Sequence, residues 1–241
     1  SIMGFKQFLQ DAALKSKLEL SAQQLDAYDK YYQALISWNE KINLTAITEP
    51  QQVAIKHMID SLTCYDEDFF KGKVKLIDVG TGAGFPGLPL KIYNNEIELT
   101  LLDSLNKRVK FLEAVVTEIG LENVNLVHSR AEDGGKNKLL REVFDIAVSR
   151  AVARLNVLSE LCLPFVKVGG YFIALKGAQY EAELTEASSA IKTLGGEVVK
   201  VQPVTLPDLA DVRAVIYIKK VQPMAAKYPR KAGQIEKNPL I

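Results

Sequence analysis

The spacing of apolar residues changes near residue 70 of this 241-residue chain. Before that point, apolar residues recur three and four positions apart, which predicts amphipathic helices. The first set is Phe5, Phe8 and Leu9, and the second is Leu25, Tyr28, Tyr32, Leu35 and Ile36. Ser21 suits the N-cap of the second helix. We therefore predict a helical N-terminal extension over residues 1–70.

Beyond residue 73, short apolar runs alternate with helical stretches. The runs cover residues 74–79, 99–102, 124–127, 144–148 and 171–175. This alternation predicts a parallel sheet with crossover helices. Two more strand-like runs, residues 197–204 and 212–219, are separated only by a loop around Pro207 and predict an antiparallel pair. The expected fold class is α/β, with a seven-stranded, mostly parallel sheet whose last strand is antiparallel, over residues 71–221.

Composition narrows the class of protein. Hydrophobic residues make up 48% of the chain, which is ample for a core. The sequence has neither an uncharged apolar run of about 18 residues nor a signal-peptide pattern. We expect a cytoplasmic monomer that does not contact membranes. Ser1 and Ile2 precede Met3 and are expected to be a cloning remnant without a structural role.

Cysteine and histidine usage argues against a metal site. The two cysteines, Cys64 and Cys162, lie far apart in apolar helical contexts, which predicts buried thiols. The two histidines, His57 and His128, are too few for a His-rich site. We therefore predict no bound metal.

Charge is distributed unevenly although the net charge is only +1. Residues 219–241 carry six Lys or Arg against one Asp or Glu. A basic C-terminal tail over residues 222–241 favours a polyanion as partner, but short Lys-rich tails are also often merely solvated. Composition alone leaves both interpretations open.

A glycine-rich turn follows the first predicted strand. Residues 78–87 read Asp-Val-Gly-Thr-Gly-Ala-Gly-Phe-Pro-Gly, and Pro86 suits the first turn of a helix. Glycines let the main chain approach a ligand closely. The pattern alone also fits a nicotinamide dinucleotide. Asp78 favours S-adenosylmethionine over a nicotinamide dinucleotide as the cofactor. A carboxylate is unfavourable beside a pyrophosphate and favourable beside the cationic methionine part of S-adenosylmethionine.

Other cofactor contacts are expected at the ends of the next two strands. Asp103 closes the second strand, where an acidic residue can accept hydrogen bonds from ribose hydroxyls. Ala131 and Glu132 follow the third strand and are expected to contact adenine. Alternatively, Glu132 and Asp133 simply begin a helix, since acidic residues favour first turns. With the antiparallel last strand, these features predict a class I S-adenosylmethionine-dependent methyltransferase.

Basic residues cluster beyond the carboxyl ends of the later strands. Arg150 and Arg154 are four apart and are expected to share one face of the helix after the fourth strand. Lys176 ends the fifth strand and Arg130 lies in the third-strand loop, so we expect all four at one sheet edge. Clustered arginines suit phosphate recognition, although surface ion pairs are the competing explanation.

Motifs for other acceptors are missing from the sequence. The fourth strand ends in Ser149 and Arg150 without the Asn/Asp-Pro-Pro-aromatic motif of enzymes that methylate exocyclic amino groups. A Pro-Cys pair, which would supply the nucleophile for carbon-5 pyrimidine methylation, is also absent. Both acceptor classes are therefore disfavoured.

The order of these motifs resembles that of the bacterial 16S ribosomal RNA guanine-N7 methyltransferase family, RsmG, also called glucose-inhibited division protein B. The matching stretches are residues 38–45, 57–62, 78–89, 103–108, 149–154, 175–176 and 228–231. Together they span nearly the whole chain. One departure is Ile235, where the family's tail usually has a second proline.

This resemblance implies a cofactor, a target and site residues. The cofactor is S-adenosylmethionine, and the target is N7 of the guanine at position 527 of 16S ribosomal RNA, in the small ribosomal subunit or its assembly intermediate. The resemblance implies cofactor contacts at Gly80, Phe85, Ala131, Glu132 and Arg150, with Asp103 and Ser104 near the ribose, and the turn itself adds Asp78 and Gly82 to these cofactor-binding candidates. From the basic residues, the catalytic candidates are Arg150 and Lys176, and the RNA-binding candidates are Arg130, Arg154, Arg213, Arg230 and Lys231.

Two other functions remain as alternatives at this point. A nicotinamide-dependent oxidoreductase would need a general acid, such as a Tyr-x-x-x-Lys pair after the fourth strand, and none is found there. A non-catalytic RNA-binding module would differ by not binding S-adenosylmethionine. His57, Asp60 and Ser61 share a helix face that lies either at the mouth of the active site or against the catalytic domain.

Overall fold

Seven strands form one sheet in the computed structural model, which describes residues 4–241 and so leaves Ser1 and Ile2 outside. The strands are β1 (Lys75–Val79), β2 (Glu98–Asp103), β3 (Val124–His128), β4 (Phe144–Ser149), β5 (Val166–Lys176), β6 (Gly196–Val204) and β7 (Arg213–Lys220). Their order is β3-β2-β1-β4-β5-β7-β6. Neighbouring strands from β1 to β5 are parallel, whereas β7 is antiparallel to both β5 and β6. The predicted fold class is confirmed.

Helices cover both faces of the sheet. In the described range they are α1 (Phe5–Lys15), α2 (Ala22–Asn39), α3 (Pro50–Val53), a π-helix (Ala54–Ile59), α4 (Asp60–Leu62), α5 (Gly87–Tyr93), α6 (Asn106–Ile119), α7 (Ala131–Gly134), α8 (Leu155–Cys162), a 3₁₀ turn (Leu163–Phe165), α9 (Tyr180–Thr193) and α10 (Gln234–Lys237). Ser21 caps α2 as predicted, because its hydroxyl accepts from the Gln24 N–H while the Gln24 side chain accepts from the Ser21 N–H. None of these helices has the length and hydrophobicity that a membrane span needs.

The strand order reverses between β1 and β4. The chain adds β2 and then β3 on one side of β1. It then crosses back and places β4 on the other side of β1. Ligands of open α/β sheets bind in the crevice that such a reversal opens at the carboxyl ends of the strands. The turn after Val79 and the loop after Ser149 both border this crevice.

The N-terminal helices pack on the face of the sheet beside the crevice. Tyr28 and Tyr31 of α2 are fully buried, and their hydroxyls donate to the carbonyls of Pro89 and Ala83. Trp38 packs edge-on against Phe111 of α6, with the ring centroids 5.8 Å apart. These helices therefore contact the glycine-rich turn directly.

The C-terminal tail lies along α8. Tyr228 is buried, and its carbonyl accepts from Arg141 Nη1 at 2.7 Å. Near the end of the tail, the Leu240 carbonyl accepts from Asn156 Nδ2 at 3.0 Å. Ile235, the departure from the family pattern, is buried within α10. Both cysteines are free and buried, as predicted.

Candidate active site

The turn after β1 places an open backbone at the crevice. Gly80 and Gly82 have φ values of 67° and 59°, which side-chain-bearing residues rarely adopt. A Cβ atom at either position would meet no atom within 4 Å, so both glycines face open space. At Gly84, by contrast, a Cβ would lie 2.5 Å from the Tyr31 hydroxyl. The first two glycines thus border the ligand side, and Gly84 is required by packing.

Asp78, near the end of β1, accepts hydrogen bonds from two residues of this turn. Its Oδ2 accepts from the Thr81 hydroxyl at 2.7 Å and from the Gly87 N–H at 2.8 Å. Its Oδ1 is buried without a hydrogen-bond partner among residues 4–241. Burial raises the pKa of Asp78 to about 7. Buried acceptors normally have a partner, so the residues present fit a cationic ligand that would supply one.

Asp103 joins the turn to the end of β2. It is 2% exposed, and its Oδ2 accepts from the Gly82 N–H at 2.8 Å while its Oδ1 accepts from the Leu105 N–H at 2.9 Å. Ser104, the next residue, is exposed. The carboxylate therefore fixes the position of the glycine-rich turn relative to β2.

The loop after β3 begins α7 at Ala131, so Glu132 does lie in a first turn, as the alternative interpretation predicted. Glu132 Oε2 lies 3.3 Å from Arg130 Nη2. A contact of Ala131 or Glu132 with adenine stays a prediction.

A cleft of about 380 Å³ opens beyond the ends of β4 and β5. Its polar lining consists mainly of Lys56, His57, Asp60, Arg150, Lys176 and Arg213. The two catalytic candidates and one RNA-binding candidate are therefore brought together. Arg130, Arg154, Arg230 and Lys231 do not line it.

Three acceptors hold the Arg150 side chain. Its Nη1 donates to the Lys56 carbonyl at 2.8 Å and to Asp60 Oδ2 at 3.0 Å, and its Nη2 donates to His57 Nδ1 at 2.9 Å. The guanidinium also lies over the Phe85 ring, 5.1 Å from its centroid. The hydrogen bonds of this side chain thus all go to residues 56–60, and it meets the glycine-rich turn at the Phe85 ring. The cofactor contact at Arg150 stays a prediction.

The expectation that Arg150 and Arg154 share a helix face is wrong. The helix α8 begins only at Leu155, and residues 151–153 form a loop. Lys176 holds this loop, because its Nζ donates to the Ala153 carbonyl at 2.8 Å and pairs with Glu183 at 2.9 Å. Arg154 instead pairs with Glu186 on α9.

The hydrogen bonds of His57 define its tautomer. A guanidinium only donates, so His57 Nδ1 accepts from Arg150 and the proton resides on Nε2, which donates to the Thr45 hydroxyl at 2.8 Å. Burial, followed by the charges of Arg150 and Arg213, lowers the pKa of His57 to about 3. The imidazole is therefore neutral at physiological pH, and both ring nitrogens are engaged.

Comparisons with known proteins agree with this geometry. A family model described as GidB, rRNA small subunit methyltransferase G, matches residues 24–209. Proteins named ribosomal RNA small subunit methyltransferase G are 50% identical in Clostridium botulinum and 53% identical in Alkaliphilus oremlandii, each over 99% of this chain and 100% of the relative. The chain belongs to the rRNA small subunit methyltransferase G family.

Solved structures share the fold at much lower identity. An S-adenosylmethionine-dependent methyltransferase from Aquifex aeolicus is 19% identical, with a TM-score of 0.52 over 70% of this chain and 93% of that one. TYW2 of M. jannaschii, solved with AdoMet, is 14% identical, with a TM-score of 0.57 over 75% of this chain and 80% of that one. These likenesses support the fold assignment alone.

The tail candidates Arg230 and Lys231 differ in their surroundings. Arg230 forms an ion pair with Glu160, which is fully buried on α8, and its Nη2 lies 2.7 Å from Glu160 Oε1. Lys231 is exposed. Both stay predicted RNA contacts, but Arg230 also has a structural partner.

We expect Arg230→Ala to lower the free energy of unfolding by about 3 kcal/mol, because it leaves the buried Glu160 carboxylate without its cation. Lys231→Ala is the matched control and should leave the free energy of unfolding unchanged. It should lower the slope of log K for RNA binding against log salt concentration by about one. Denaturant titration and filter binding at several salt concentrations measure the two effects. Equal stability losses in both variants would contradict the assignment.

Asp78 should make cofactor binding depend on pH. Its pKa of about 7 means that part of the free protein is protonated near neutral pH, whereas a bound sulfonium favours the carboxylate. S-adenosylmethionine affinity should therefore fall as pH decreases below about 7, by up to roughly tenfold per unit, with proton release on binding. Calorimetry in buffers of different ionisation heat measures that release. Binding without proton release at pH 6.5 would show that Asp78 is already ionised.

Three contacts of the site lie outside the sequence motifs. Tyr31 contacts the glycine-rich turn, Lys56 contacts Arg150, and Glu183 contacts Lys176. The sequence signals for the rest of this network were the matching stretches 38–45 and 57–62 and the shared helix face of His57 and Asp60. Both of those residues line the cleft and also bond to Arg150.

Proposed function

We propose that this protein transfers the methyl group of S-adenosylmethionine to N7 of a guanine in 16S ribosomal RNA of the small subunit. The observation that carries the proposal is the juxtaposition, across the β1–β4 crevice, of an open glycine-rich turn and a cleft lined by Arg150, Lys176 and Arg213. The family supplies the substrate class, since its relatives are named as small-subunit rRNA methyltransferases.

The cofactor-side roles follow from the turn. Gly80 and Gly82 present main chain to the methionine part, and Asp78 lies beneath with one unpartnered carboxylate oxygen. Asp103 and Ser104 are proposed to receive the ribose, and Ala131 and Glu132 the adenine. Phe85, within the turn, lies beneath the Arg150 guanidinium.

The chemistry proposed for the acceptor needs no general base. S-adenosylmethionine supplies an electrophilic methyl, so that the N7 lone pair forms the new N–C bond while the S–C bond breaks. The cleft agrees with this requirement, because Asp60 is held by two arginines, Glu183 is paired with Lys176, and both nitrogens of His57 are engaged. Positioning can then supply most of the rate enhancement, up to roughly 7–11 kcal/mol for ideal alignment.

Arg213 is the best candidate for direct contact with the RNA. Its Nε–H is buried without a partner among the described residues, while its Nη1 is bound to Asp60. The Arg213 side chain is 24% exposed and lines the cleft, so a phosphate or a base oxygen can approach the guanidinium there. Lys176 keeps the 151–153 loop in place through Ala153 and Glu183. Arg130, Arg154, Arg230 and Lys231 are proposed to bind RNA backbone outside the cleft.

The proposed organisation keeps residues 1–70 as a helical extension, residues 71–221 as the catalytic domain and residues 222–241 as the basic tail of a monomer. The test of function is transfer of labelled methyl from S-adenosylmethionine to RNA from a strain lacking this enzyme. Label confined to small-subunit RNA is expected. Label in transfer RNA or in protein, and not in small-subunit RNA, would overturn the proposal.

A further inference from the structure

Two guanidinium groups share one carboxylate at the acceptor cleft. Arg150, after β4, donates to Asp60 Oδ2 at 3.0 Å, and Arg213, at the start of β7, donates to Asp60 Oδ1 at 3.0 Å. Asp60 is 3% exposed. Two cations that bind the same carboxylate lie close together and repel each other where solvent screening is weak. The shared Asp60 carboxylate therefore determines where both guanidiniums can lie.

The π-helix Ala54–Ile59 places these acceptors together. The Asp60 N–H donates to the Ile55 carbonyl, five residues earlier, whereas an α-helix would use the Lys56 carbonyl. The Lys56 carbonyl instead accepts from Arg150. Such π segments are rare and occur frequently at functional sites. One short segment thus presents a carbonyl, an imidazole nitrogen and a carboxylate to the same guanidinium.

An aromatic stack connects this segment to the cofactor side. The His57 ring lies parallel to the Phe85 ring, with centroids 4.4 Å apart, and Tyr31 stacks on Phe85 at 5.2 Å. Phe85 belongs to the glycine-rich turn and also carries Arg150 over its ring. Arg150 is therefore held relative to the turn as well as to β4.

We propose that Asp60 is a positioning residue for methyl transfer, which holds the guanidiniums of Arg150 and Arg213 in the geometry that receives the target nucleotide. His57 supports Arg150 from the same segment. This role rests on the proposed function, because it concerns the same acceptor cleft. Asp60 itself contacts the two arginines and takes no part in bond making or breaking.

Removal of the carboxylate charge should misplace both arginines. Asp60→Asn keeps the size of the side chain but leaves two guanidiniums without their shared anion. Displacement of catalytic groups by about 1 Å can cost about 100-fold in rate. We therefore expect kcat on small subunits to fall about 30- to 100-fold. The Kd for S-adenosylmethionine should change little.

The matched control is Asp66→Asn. Asp66 also pairs with a cation, Lys200 Nζ at 2.7 Å, but it does not line the cleft. This variant should retain wild-type kcat. Asp60→Glu, which retains the charge, should recover part of the rate lost in Asp60→Asn. A double-mutant cycle with Arg150→Lys should be strongly non-additive, because both changes disrupt the same contact.

Kinetics and nitrogen-15 NMR of the arginine side chains provide the test. Slowed turnover together with loss of ordered Arg150 Nη–H signals in Asp60→Asn would support the proposal. A kcat within threefold of wild type, additive effects in the cycle, or unchanged Arg150 signals would overturn it. If Asp60→Asn fails to fold, His57→Gln tests the same support, with an expected five- to tenfold loss in kcat and altered Arg150 signals; a kcat within twofold of wild type would overturn the proposal.

The NMR measurement does not depend on turnover. A wild-type protein that methylates no small-subunit RNA would therefore defeat the proposed function, while the Arg150 signals would still decide the role of Asp60.

Discussion

Arg150→Ala is expected to reduce methyl transfer to small-subunit RNA by at least about 100-fold. The guanidinium bonds to the Lys56 carbonyl, His57 Nδ1 and Asp60 Oδ2 and lies over Phe85, so its removal disconnects the acceptor cleft from the glycine-rich turn. Single-turnover assays with saturating cofactor measure the effect. Near-normal turnover would remove Arg150 from the catalytic candidates.

Two comparisons show whether the loss is specific. Arg150→Lys keeps the charge but cannot bond to three acceptors in one plane, so we expect a loss of about tenfold, intermediate between wild type and Arg150→Ala. The Kd for S-adenosylmethionine should change little in either variant, because the hydrogen bonds of the side chain go to residues 56–60 and not to the turn. A parallel loss of cofactor binding in both variants would place Arg150 on the cofactor side instead.

Gly80→Ala is expected to weaken S-adenosylmethionine binding by at least about tenfold, because its added methyl group enters the open space where main chain should meet the ligand. Gly72→Ala is a close control. Gly72 has a φ of 69° against 67° for Gly80, and a Cβ at either position would meet nothing within 4 Å. Both variants therefore share the backbone strain, which should lower the free energy of unfolding by about 1 kcal/mol.

Calorimetric titration with S-adenosylmethionine distinguishes the two glycine variants. A weaker affinity in Gly80→Ala and a wild-type affinity in Gly72→Ala would place the cofactor against the turn. Equal affinities in the two variants would mean that the ligand does not approach Gly80.

The sheet could be predicted from the sequence because its signals are local. Six predicted strands agree with the structure to within one residue at each end. The exception is β5, which begins at Val166 instead of residue 171. Its first residues include Gly169 and Gly170 and are partly exposed, so they lack an apolar run. Gly170 also packs closely, since a Cβ there would lie 2.5 Å from the Asp145 carbonyl.

The acceptor cleft was less predictable because its contacts join distant parts of the chain. The Arg213–Asp60 pair spans 153 residues and the Arg150–His57 contact spans 93. Helical periodicity placed Arg150 on α8, but Lys176 and Glu183 hold the preceding loop out of that helix. The glycine-rich turn, by contrast, is contiguous and was recognisable from ten residues.

The identity of the methylated atom tests the central claim most directly. Small subunits from a strain lacking this enzyme would be incubated with the purified protein and S-adenosylmethionine, and the RNA would then be digested to nucleosides and analysed by mass spectrometry, with N7-specific strand cleavage to map the site. We predict 7-methylguanosine at a single position of the small-subunit RNA. A methyl group on an exocyclic amine, a ribose or a pyrimidine carbon would contradict the account.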